Sequence, residues 1–330
     1  TLNLLEHLLV MDKHNTYTLF YNGFRKMHLP DFQFINAQIV KTPIPNRLLN
    51  LGFKFNFFRL EKLIGGFDAL FMPNLNTINL KTRAKIVITV HDLSFALAPE
   101  LYNLKRRLWH KFLSVKKLLR RADHILAVSN YTKQDLIGLY QLNEQKISVI
   151  YPGVDERAFY PNQSIQDLRA CRNRYDLPGE YFLFLNTIEP RKNLESTIKA
   201  FERSDVRAHL VVAGKKGWKT SAIFKLLKNN PKANRIHYIG YVKEEDKSQL
   251  LKMATAVLYP SIYEGFGFQV LEAMALGTPV IASQIASLPE IAGDAALLVN
   301  PQNSRDLVVA MREMEKNPPL RNMLIQKGFQ

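Results

Sequence analysis

Residues 263–282 read YEGFGFQVLEAMALGTPVIA, and this segment predicts a Gly-rich turn, an amphipathic helix and then a buried strand. The two glycines permit a tight turn before a helix at Gln269–Leu276. The Gly-Thr-Pro sequence ends that helix, and the apolar run after it is typical of a central strand. This order indicates a parallel α/β sheet, in which free backbone amides at a helix start can hold an anion.

Two carboxylates, Glu264 and Glu272, flank seven residues of this segment. If those residues were all helical, the two would lie roughly 12 Å apart, at about 1.5 Å per residue. A glycosidase pair needs a shorter separation of roughly 5–9.5 Å. The spacing suits two contacts on one elongated ligand, such as a sugar at one end and a ribose at the other. The alternative is an exposed loop acid and a solvated helix acid.

Apolar runs alternate with amphipathic segments along the 330 residues, a length that normally holds two domains. The alternation is typical of parallel sheets with crossover helices, and it predicts two Rossmann-like, doubly wound α/β domains that face a cleft. We predict the N-terminal domain at residues 1–160 and the C-terminal domain at residues 161–330. The segment from Pro152 to Glu180 mixes Pro, Gly, Asn and charge, and is predicted as the connection.

The same patterns predict the individual elements. Strands are predicted near Tyr17–Tyr21, Ala69–Met72, Lys85–Val90, Ile125–Val128, Ile147–Tyr151, Tyr181–Leu185, His209–Ala213, Ile236–Ile239, Ala256–Tyr259, Pro279–Ala282 and Ala295–Val299. Helices are predicted near Leu2–Leu9, Leu104–Arg121, Tyr131–Tyr140, Leu194–Phe201, Lys219–Lys228, Asp246–Met253, Gln269–Leu276 and Ser304–Glu315. Because the chain opens in a helical pattern, we expect that the first strand of the N-terminal domain is missing. Residues 327–330 predict no clear terminal element.

The composition is that of a folded protein, with 47% apolar and 22% charged residues. No run of about 20 apolar residues predicts a membrane span. The single cysteine, Cys171, excludes an internal disulfide framework, and the scattered histidines do not indicate a zinc site. We therefore expect a cytoplasmic protein with neither a bound metal nor a cofactor.

Positive charge is concentrated in the first part of the chain. The formal net charge is +16, and residues 1–150 contain 21 Lys and Arg residues against 10 Asp and Glu residues. Within this part, residues 104–121 carry eight Lys and Arg residues, no acid and an apolar face. Such a helix can lie on an anionic membrane, here the inner face of the plasma membrane. The alternative is a helix that packs on its domain with a solvated basic face, and no nucleic-acid motif accompanies it.

A second motif, Thr-Ile-Glu-Pro-Arg-Lys-Asn at residues 187–193, follows the predicted strand Tyr181–Leu185. Adjacent cations at a strand-to-helix turn, Arg191 and Lys192, can neutralise a diphosphate and stabilise the charge that develops as it departs. No Asp-x-Asp motif is present to do this through a divalent metal. The alternative is a helix start with solvated charges, for which Asn193 would be a simple cap.

A third candidate, His91, ends the apolar strand predicted at Lys85–Val90. At the carboxyl end of a parallel strand, a histidine can hydrogen-bond a sugar hydroxyl or position an acceptor. The alternative is a core histidine or a loop cap. Ser129 begins the next predicted helix, and an N-cap role is a sufficient explanation for it.

Together, the segments from about His91 to Val299 resemble glycosyltransferase family 4, the group 1 transferases of the GT-B fold. The strongest parts of the resemblance are Glu189–Asn193 and Glu264–Ala282. The family implies α-retaining transfer of a sugar from a nucleoside-diphosphate donor without a bound metal.

The resemblance also implies a role for each matching residue. The catalytic set is Glu264, Arg191, Lys192 and His91. In this set the glutamate would contact the donor sugar, the two cations would clamp the diphosphate, and the histidine would lie near the transferred sugar. The donor-binding set is Glu272, Phe266, Gly267, Phe268, Gly240, Tyr241 and Val242. Here the glutamate would bind the ribose, residues 266–268 would hold sugar and phosphate through backbone amides, and residues 240–242 would line the base.

Two features depart from the family pattern. Asn186-Thr187 stands where many members have Gly-Arg, as if Thr187 or Arg191 took over that function. The Gly-rich N-terminal loop that faces the phosphates is absent from this sequence.

We therefore expect an α-retaining transferase that moves a hexose, mannose or glucose, from a nucleotide sugar to a glycan or lipid-linked glycan in cell-surface polysaccharide synthesis. Two alternatives stay open: a sugar-nucleotide epimerase on the same architecture, and a non-catalytic binder of nucleotide sugars or nucleic acid. Epimerases need further acid/base groups around the donor, so the Arg-Lys pair with Glu264 favours transfer. We expect no nucleic-acid partner.

Overall fold

The computed structural model describes residues 2–23, 36–78, 81–154 and 164–330. The chain forms two compact units that alternate along the sequence. Unit 1 comprises Thr1–Val90, Trp109–Leu126 and Leu142–Ser148, and unit 2 comprises His91–Leu108, Ala127–Gln141 and Val149–Gln330. The domain boundary predicted at residues 160–161 lies outside the described residues.

The N-terminal part of the chain contains two sheets in the described residues. In the first, β1 (Tyr17–Asn22) pairs in parallel with β2 (Ala37–Thr42). The second has the order β3 (Ala69–Met72), β4 (Lys85–Val90), β5 (His124–Ala127) and β6 (Ile147–Val149), with β3 parallel to β4. The sequence did not predict β2, because this half-exposed strand has a short apolar run.

Unit 2 contains a six-stranded parallel sheet, as the doubly wound pattern predicts. Its strands are β7 (Tyr181–Leu185), β8 (His209–Ala213), β9 (Ile236–Gly240), β10 (Ala256–Tyr259), β11 (Val280–Ser283) and β12 (Leu297–Val299). Both faces of the sheet are covered, so all five side chains of β7 are buried. They alternate between two core layers, with Phe182 and Phe184 in one layer and Leu183 in the other.

The strand order of this sheet, β12-β11-β10-β7-β8-β9, reverses between β7 and β10. The chain leaves β7 toward β8 and β9, and then returns to the opposite side of β7 to form β10. Ligands of open α/β sheets bind beyond the carboxyl ends of the strands at such a reversal. The loop after β7 carries Arg191 and Lys192, and the loop after β10 carries Glu264. The topology therefore brings the two predicted motifs to one sheet edge.

The helices surround these sheets. In chain order they are Leu2–Met11, Asn46–Lys54, Leu60–Ile64, Ser94–Leu97, Leu104–Leu113, Val115–Arg121, Asn130–Tyr140, Ile165–Arg174, Leu194–Arg203, Ser221–Lys228, Glu244–Lys252, Phe268–Ala275, Leu288–Ala292, Ser304–Lys316 and Pro318–Gly328. Within the described residues, no helix has the length and apolar character needed to cross a bilayer.

Two segments for which no helix or strand was predicted contain helices. The connection predicted at Pro152–Glu180 contains the helix Ile165–Arg174, which starts with a capping box between Ser164 and Asp167. The chain end contains the helix Pro318–Gly328, where proline occupies the first turn. The prediction of no terminal element was therefore wrong. The missing first strand stays a prediction.

The basic segment 104–121 is not the single helix that was predicted. It breaks at Ser114, whose φ of 52° is left-handed. Beyond the break, Val115, Leu118 and Leu119 are buried, so this half is a packed helix with a solvated basic face. Before the break, Leu104, Leu108 and Trp109 are exposed. The alternative of a packed helix with a solvated basic face applies to the half after Ser114, and membrane binding by the half before it stays a prediction.

Candidate functional site

The centre of the candidate site is Glu264, a buried carboxylate held by two cations. Its Oε2 accepts a hydrogen bond from Arg191 Nη1 at 2.8 Å, and its Oε1 accepts one from Lys192 Nζ at 2.5 Å. The guanidinium also contacts Glu189, with Nε and Nη2 at 3.1 and 3.0 Å from Oε1. The structure therefore brings the two predicted motifs into direct contact, and the charges of the cations are balanced by carboxylates.

Burial and charge compete in this cluster. Burial alone would raise the pKa of Glu264, but the charges of Lys192 and Arg191 outweigh it and lower this pKa to about 2. Burial raises the pKa of Glu189 despite its guanidinium partner. Glu264 is thus an anion at neutral pH, and it depends on its neighbours for that charge.

The loop that carries the cations is held against the loop after β10. Ile262 N donates to Arg191 O at 2.8 Å. Asn193 has a left-handed φ of 60°, and its Nδ2 donates to Pro260 O at 3.0 Å and to Pro301 O at 2.8 Å. This amide joins three loops, and the side chain makes no cap hydrogen bond. The alternative of solvated cations with a capping asparagine is therefore wrong.

Serine hydroxyls fix the peptide planes of the turn after Glu264. Ser287 Oγ donates to the carbonyl oxygens of Glu264 at 3.0 Å and of Phe266 at 2.9 Å, and Ser129 Oγ donates to Gly265 O at 2.7 Å. Because the N–H of a planar peptide points away from its C=O, the amides of residues 265–267 point away from these hydroxyls. No described residue accepts a hydrogen bond from these three amides.

The helix Phe268–Ala275 begins directly after this turn. Gly267 precedes it with a φ of 105°, which favours glycine, and no side chain caps the first turn. The open amides of residues 265–267 therefore continue into the positive end of a helix. A turn of this kind can receive an anion through its backbone, as the sequence predicts for Phe266, Gly267 and Phe268.

His91 lies beside the same turn, within unit 2. A Cβ on Gly265 would be 1.7 Å from the His91 carbonyl oxygen, so only glycine fits there. The imidazole itself is exposed. Tyr263 OH donates to Asp135 Oδ2 at 2.6 Å, which adds another contact to this end of the turn. The structure thus brings His91 to the Glu264 turn and does not place it in the core.

Glu272 is also buried, but it differs in its partners. Its Oε1 accepts from Lys247 Nζ at 2.7 Å, whereas Oε2 has no hydrogen-bond partner in the described residues. Burial raises the pKa of this carboxyl, and Lys247 offsets only part of that effect. The alternative of a solvated helix acid is therefore wrong. A buried acceptor without a donor costs stability.

The residues predicted around the base differ in exposure. Gly240 ends β9 with a φ of 74°, and Tyr241 after it is exposed. Lys215 Nζ lies 4.1 Å from the centroid of the Tyr241 ring, in a cation–π contact. Val242 is buried in the core, so its contribution to a ligand surface would be through the backbone.

The end of β7 is joined to its neighbours by backbone contacts. Gly214 has a φ of 137°, and a Cβ there would be 1.8 Å from Asn186 O. Asn186 Nδ2 donates to Gln269 Oε1 at 3.3 Å, whereas Thr187 is exposed.

In the described residues, no group of three or more His, Cys, Asp and Glu side chains could hold a metal.

Sequence reasoning missed the residues that support the site. Ser129 accepts from Thr132 N at 3.0 Å, which is the expected cap, but its bond to Gly265 was not predicted. Ser287 and Lys247 were not predicted either, and Glu189 belonged to a predicted motif without an assigned role. Serines and charged residues are common near helix starts, so their types carry no signal. Only the long-range pairing of strands and loops reveals them.

Two family models match almost adjacent parts of the chain. The model of Glycosyltransferase Family 4 matches residues 7–158. The model of Glycosyl transferases group 1 matches residues 172–330. The second match contains the two candidate motifs, and the first contains His91.

Curated relatives include enzymes of O-antigen synthesis. The O-antigen chain mannosyltransferase B of Escherichia coli is 33% identical over 224 residues, which cover 66% of this chain and 58% of that protein. The O-antigen chain mannosyltransferase RfbU of Salmonella typhimurium is 30% identical over 232 residues, which cover 70% of this chain and 61% of that protein. The chain therefore spans about three fifths of the length of these relatives.

Solved structures share the fold over most of the chain. Sucrose-phosphate synthase from Thermosynechococcus elongatus has a TM-score of 0.73 and 21% identity, and the match covers 94% of this chain and 82% of that one. HepE from Anabaena, in complex with UDP-glucose, has a TM-score of 0.71 and 16% identity, with 96% and 94% covered. At this identity the likeness shows the fold, a parallel α/β architecture of the GT-B type.

Proposed function

Because the chain belongs to glycosyltransferase family 4, the group 1 transferases, we propose that it transfers a hexose from a nucleoside-diphosphate sugar to a glycan or lipid-linked glycan. The observation that carries this proposal is the meeting of Arg191, Lys192 and Glu264 beside the open amides of residues 265–267. Cations and amides suit a diphosphate, and a carboxylate suits sugar hydroxyls.

The donor would be held along this segment. The hexose would contact Glu264, and the diphosphate would contact Lys192, Arg191 and the turn amides. The ribose would reach Oε2 of Glu272, which has no partner among the described residues. Tyr241 would offer its exposed ring to the base. The names of both relatives given above favour mannose as the hexose, with glucose as the second candidate.

The charge balance of the site matters for the chemical step. As the glycosidic bond breaks, the diphosphate gains negative charge, which fixed donors in a dry site stabilise. Glu264 and Glu189 already balance the two cations, so the open amides of the turn would supply the remaining stabilisation. In the α-retaining course, the acceptor hydroxyl attacks from the face that the diphosphate leaves. These groups would act in place of a metal, and no cofactor is needed.

Ligand binding tests the proposal first. A thermal-shift screen of UDP, GDP and ADP and their sugars should give one base with a clear rise in Tm. The best donor is then incubated with acceptor oligosaccharides, and the anomeric configuration of the product is read by NMR. An α-linked product supports retention. A β-linked product, or no binding by any of the nucleotides, contradicts the proposal.

The same incubation separates the alternatives. An epimerase would change the donor sugar without an acceptor, and a non-catalytic binder would return it unchanged. Tight, salt-sensitive binding of short duplexes without nucleotide binding would instead favour a nucleic-acid binder.

The proposal extends to location. We place the protein in the cytoplasm at the inner face of the plasma membrane, where a lipid-linked acceptor would be presented. The excess of Lys and Arg in residues 1–150 supports contact with an anionic surface.

A further inference from the structure

A short aromatic turn projects two phenylalanine rings from unit 1. The side chains of Phe55 and Phe57 are 61% and 82% exposed, and their ring centroids are 6.4 Å apart. Between them, Asn56 has a left-handed φ of 62°. A contiguous exposed apolar patch often marks an interaction site, whereas single exposed apolar residues need no explanation.

The conformation of this turn is fixed by its own contacts. Phe57 N and Phe58 N both donate to Gly52 O, at 2.8 and 3.1 Å. A Cβ on Gly52 would be 2.0 Å from Phe58 Cδ2, so the third ring packs on the glycine. Phe58 therefore covers the helix end, and the other two rings are held outward.

The apolar surface continues along the helix Asn46–Lys54. Leu48 and Leu51 are exposed on it, at positions that share one helical stripe with Phe55. The opposite face packs in the core through Leu49 and Phe53, together with Leu60. The exposed stripe is thus a second apolar face of a helix that already buries one.

A neighbouring segment contacts the last residue of this helix. Lys54 Nζ donates to Phe112 O and, at 2.7 Å, to Ser114 Oγ, and it lies 4.6 Å from the Phe112 ring centroid. The exposed Trp109 stacks on Phe112 with centroids 5.6 Å apart. We call Leu48, Leu51, Phe55, Phe57 and Trp109 the aromatic surface; all five belong to unit 1.

Basic side chains accompany the aromatic surface. Arg59 is exposed directly after the turn, Arg47 is exposed in the first turn of the helix Asn46–Lys54, and Lys111, Lys116 and Lys117 are exposed after Trp109. Residues 109–121 contain no acid. An occupant must therefore combine negative charge with an apolar layer that accepts aromatic rings. An anionic bilayer has both properties, because its headgroups lie directly above the acyl chains.

We propose that the aromatic surface binds an anionic lipid bilayer, with Phe55, Phe57 and Trp109 inserted at the headgroup boundary. This rests on the proposed function only in that a lipid-linked acceptor would be met there. It moves the contact from the whole of residues 104–121 to a surface that the sequence did not indicate. The buried residues of Val115–Arg121 take no part in it.

Vesicle binding tests this directly. Wild-type protein is sedimented with vesicles of phosphatidylcholine alone or with 30% phosphatidylglycerol, alongside the double variant Phe55→Ser/Phe57→Ser. We expect the anionic vesicles to bind the wild type and the double variant to bind at least about tenfold more weakly. Phe329→Ser, which changes a 54% exposed phenylalanine of unit 2, serves as the matched control and should bind like the wild type.

A fluorescence readout places the surface in the bilayer. The chain has two tryptophans, so in a Trp218→Phe background only Trp109 emits. Anionic vesicles should shift its emission to the blue, and lipids brominated on the acyl chains should quench it. Equal binding of the double variant and the wild type, or absence of binding to anionic vesicles, would overturn the proposal. So would loss of a dimer in the double variant without vesicles, since the surface would then join two copies.

The test is independent of the donor site. The thermal shift with nucleotides should be the same in the double variant and the wild type. If vesicle binding fails while nucleotides still bind, the surface proposal is wrong and the transferase proposal is unaffected. If nucleotides do not bind while vesicles do, the transferase proposal is wrong and the surface proposal is unaffected.

Discussion

Glu264 and Glu272 belong to one segment and are both buried, yet their surroundings shift their pKa values in opposite directions. Both oxygens of Glu264 accept from cations, and its pKa is lowered to about 2. One oxygen of Glu272 accepts from Lys247 and the other has no described partner, and burial raises its pKa. The first carboxylate is therefore fixed by the protein before any ligand binds. The second keeps one oxygen without a partner in the described residues, and we propose that a donor's hydroxyls fill this place.

The largest effect is expected on turnover, when Glu264 loses one of its two cationic partners. Lys192→Ala should lower turnover by several hundredfold or more in the full-length protein, because the variant lacks a buried charge that would face the leaving diphosphate in the proposed reaction. Steady-state kinetics with saturating donor measure this. Lys199→Ala, which removes an exposed lysine paired with Glu195 at 2.6 Å, is the control. Turnover of the Lys192 variant within a few-fold of the wild type would mean that this lysine does not face the reaction.

Removal of the Glu272 carboxylate should mainly weaken ligand binding. Glu272→Ala should weaken nucleoside-diphosphate affinity by about 10- to 100-fold, since hydrogen bonds to a charged group contribute about 1.5–3 kcal/mol. Calorimetric titration measures it. Glu244→Ala is a close control, because Glu244 also pairs with Lys247, at 3.5 Å, but is exposed. If both variants bound the nucleotide like the wild type, Glu272 would be structural.

A change in the turn that follows Glu264 should have a smaller effect on kcat. Ser287→Ala frees the carbonyls of Glu264 and Phe266, so the amides of residues 265–267 lose part of their alignment. We expect kcat to fall about tenfold, with a small change in KM, by comparison with losing one weak stabilising donor. Ser204→Ala removes another buried serine that donates to a carbonyl, Phe201 O at 2.8 Å, and should leave kcat unchanged. A rise in KM with an unchanged kcat would argue against a role of Ser287 in aligning the amides of residues 265–267.

The smallest expected effect is on thermal stability. The ionised forms of Glu264 and Glu272 should contribute to it with opposite signs. The raised pKa of Glu272 means that its ionised form costs stability, so Glu272→Gln should raise the Tm at pH 7 by about 1–3 °C. This gain should shrink as the pH falls and the wild-type carboxyl is protonated. Glu264 has the opposite sign: its contribution is present above its ordinary pKa of 4.5 and is lost as the pH falls toward about 2. Thermal melts of the wild type and Glu272→Gln from pH 2 to pH 8 cover both pH ranges, and a destabilised Glu272→Gln at pH 7 would contradict the assignment.

The sheet of unit 2 was largely predictable from sequence. The strands β7, β8 and β10 have the predicted bounds, because strands buried on both faces are continuous apolar runs. The site residues at their ends followed from the same pattern. What could not be predicted is the pairing inside the site: the order of strands decides that Lys192 meets Glu264, and no local signal encodes it.

The N-terminal part was harder to predict. The strand β2 is short and half exposed, and the break at Ser114 lies inside an unbroken amphipathic pattern. Local periodicity cannot show that the chain changes direction there, since the left-handed residue is a serine and carries no turn signal. The exposed rings of Phe55 and Phe57 look like core residues in the sequence and differ from them only in the folded chain.

The close approach of Gly265 to the His91 carbonyl limits how this chain can be recombined with its relatives. A chimera that takes only residues 164–330 would carry both glutamates and both cations. It would lose Ser129, and it would place another protein's backbone where Gly265 has no free space. The segments around residues 91–94 and 127–135 must therefore be exchanged together with the C-terminal part if the hybrid is to keep the packing of the turn after Glu264.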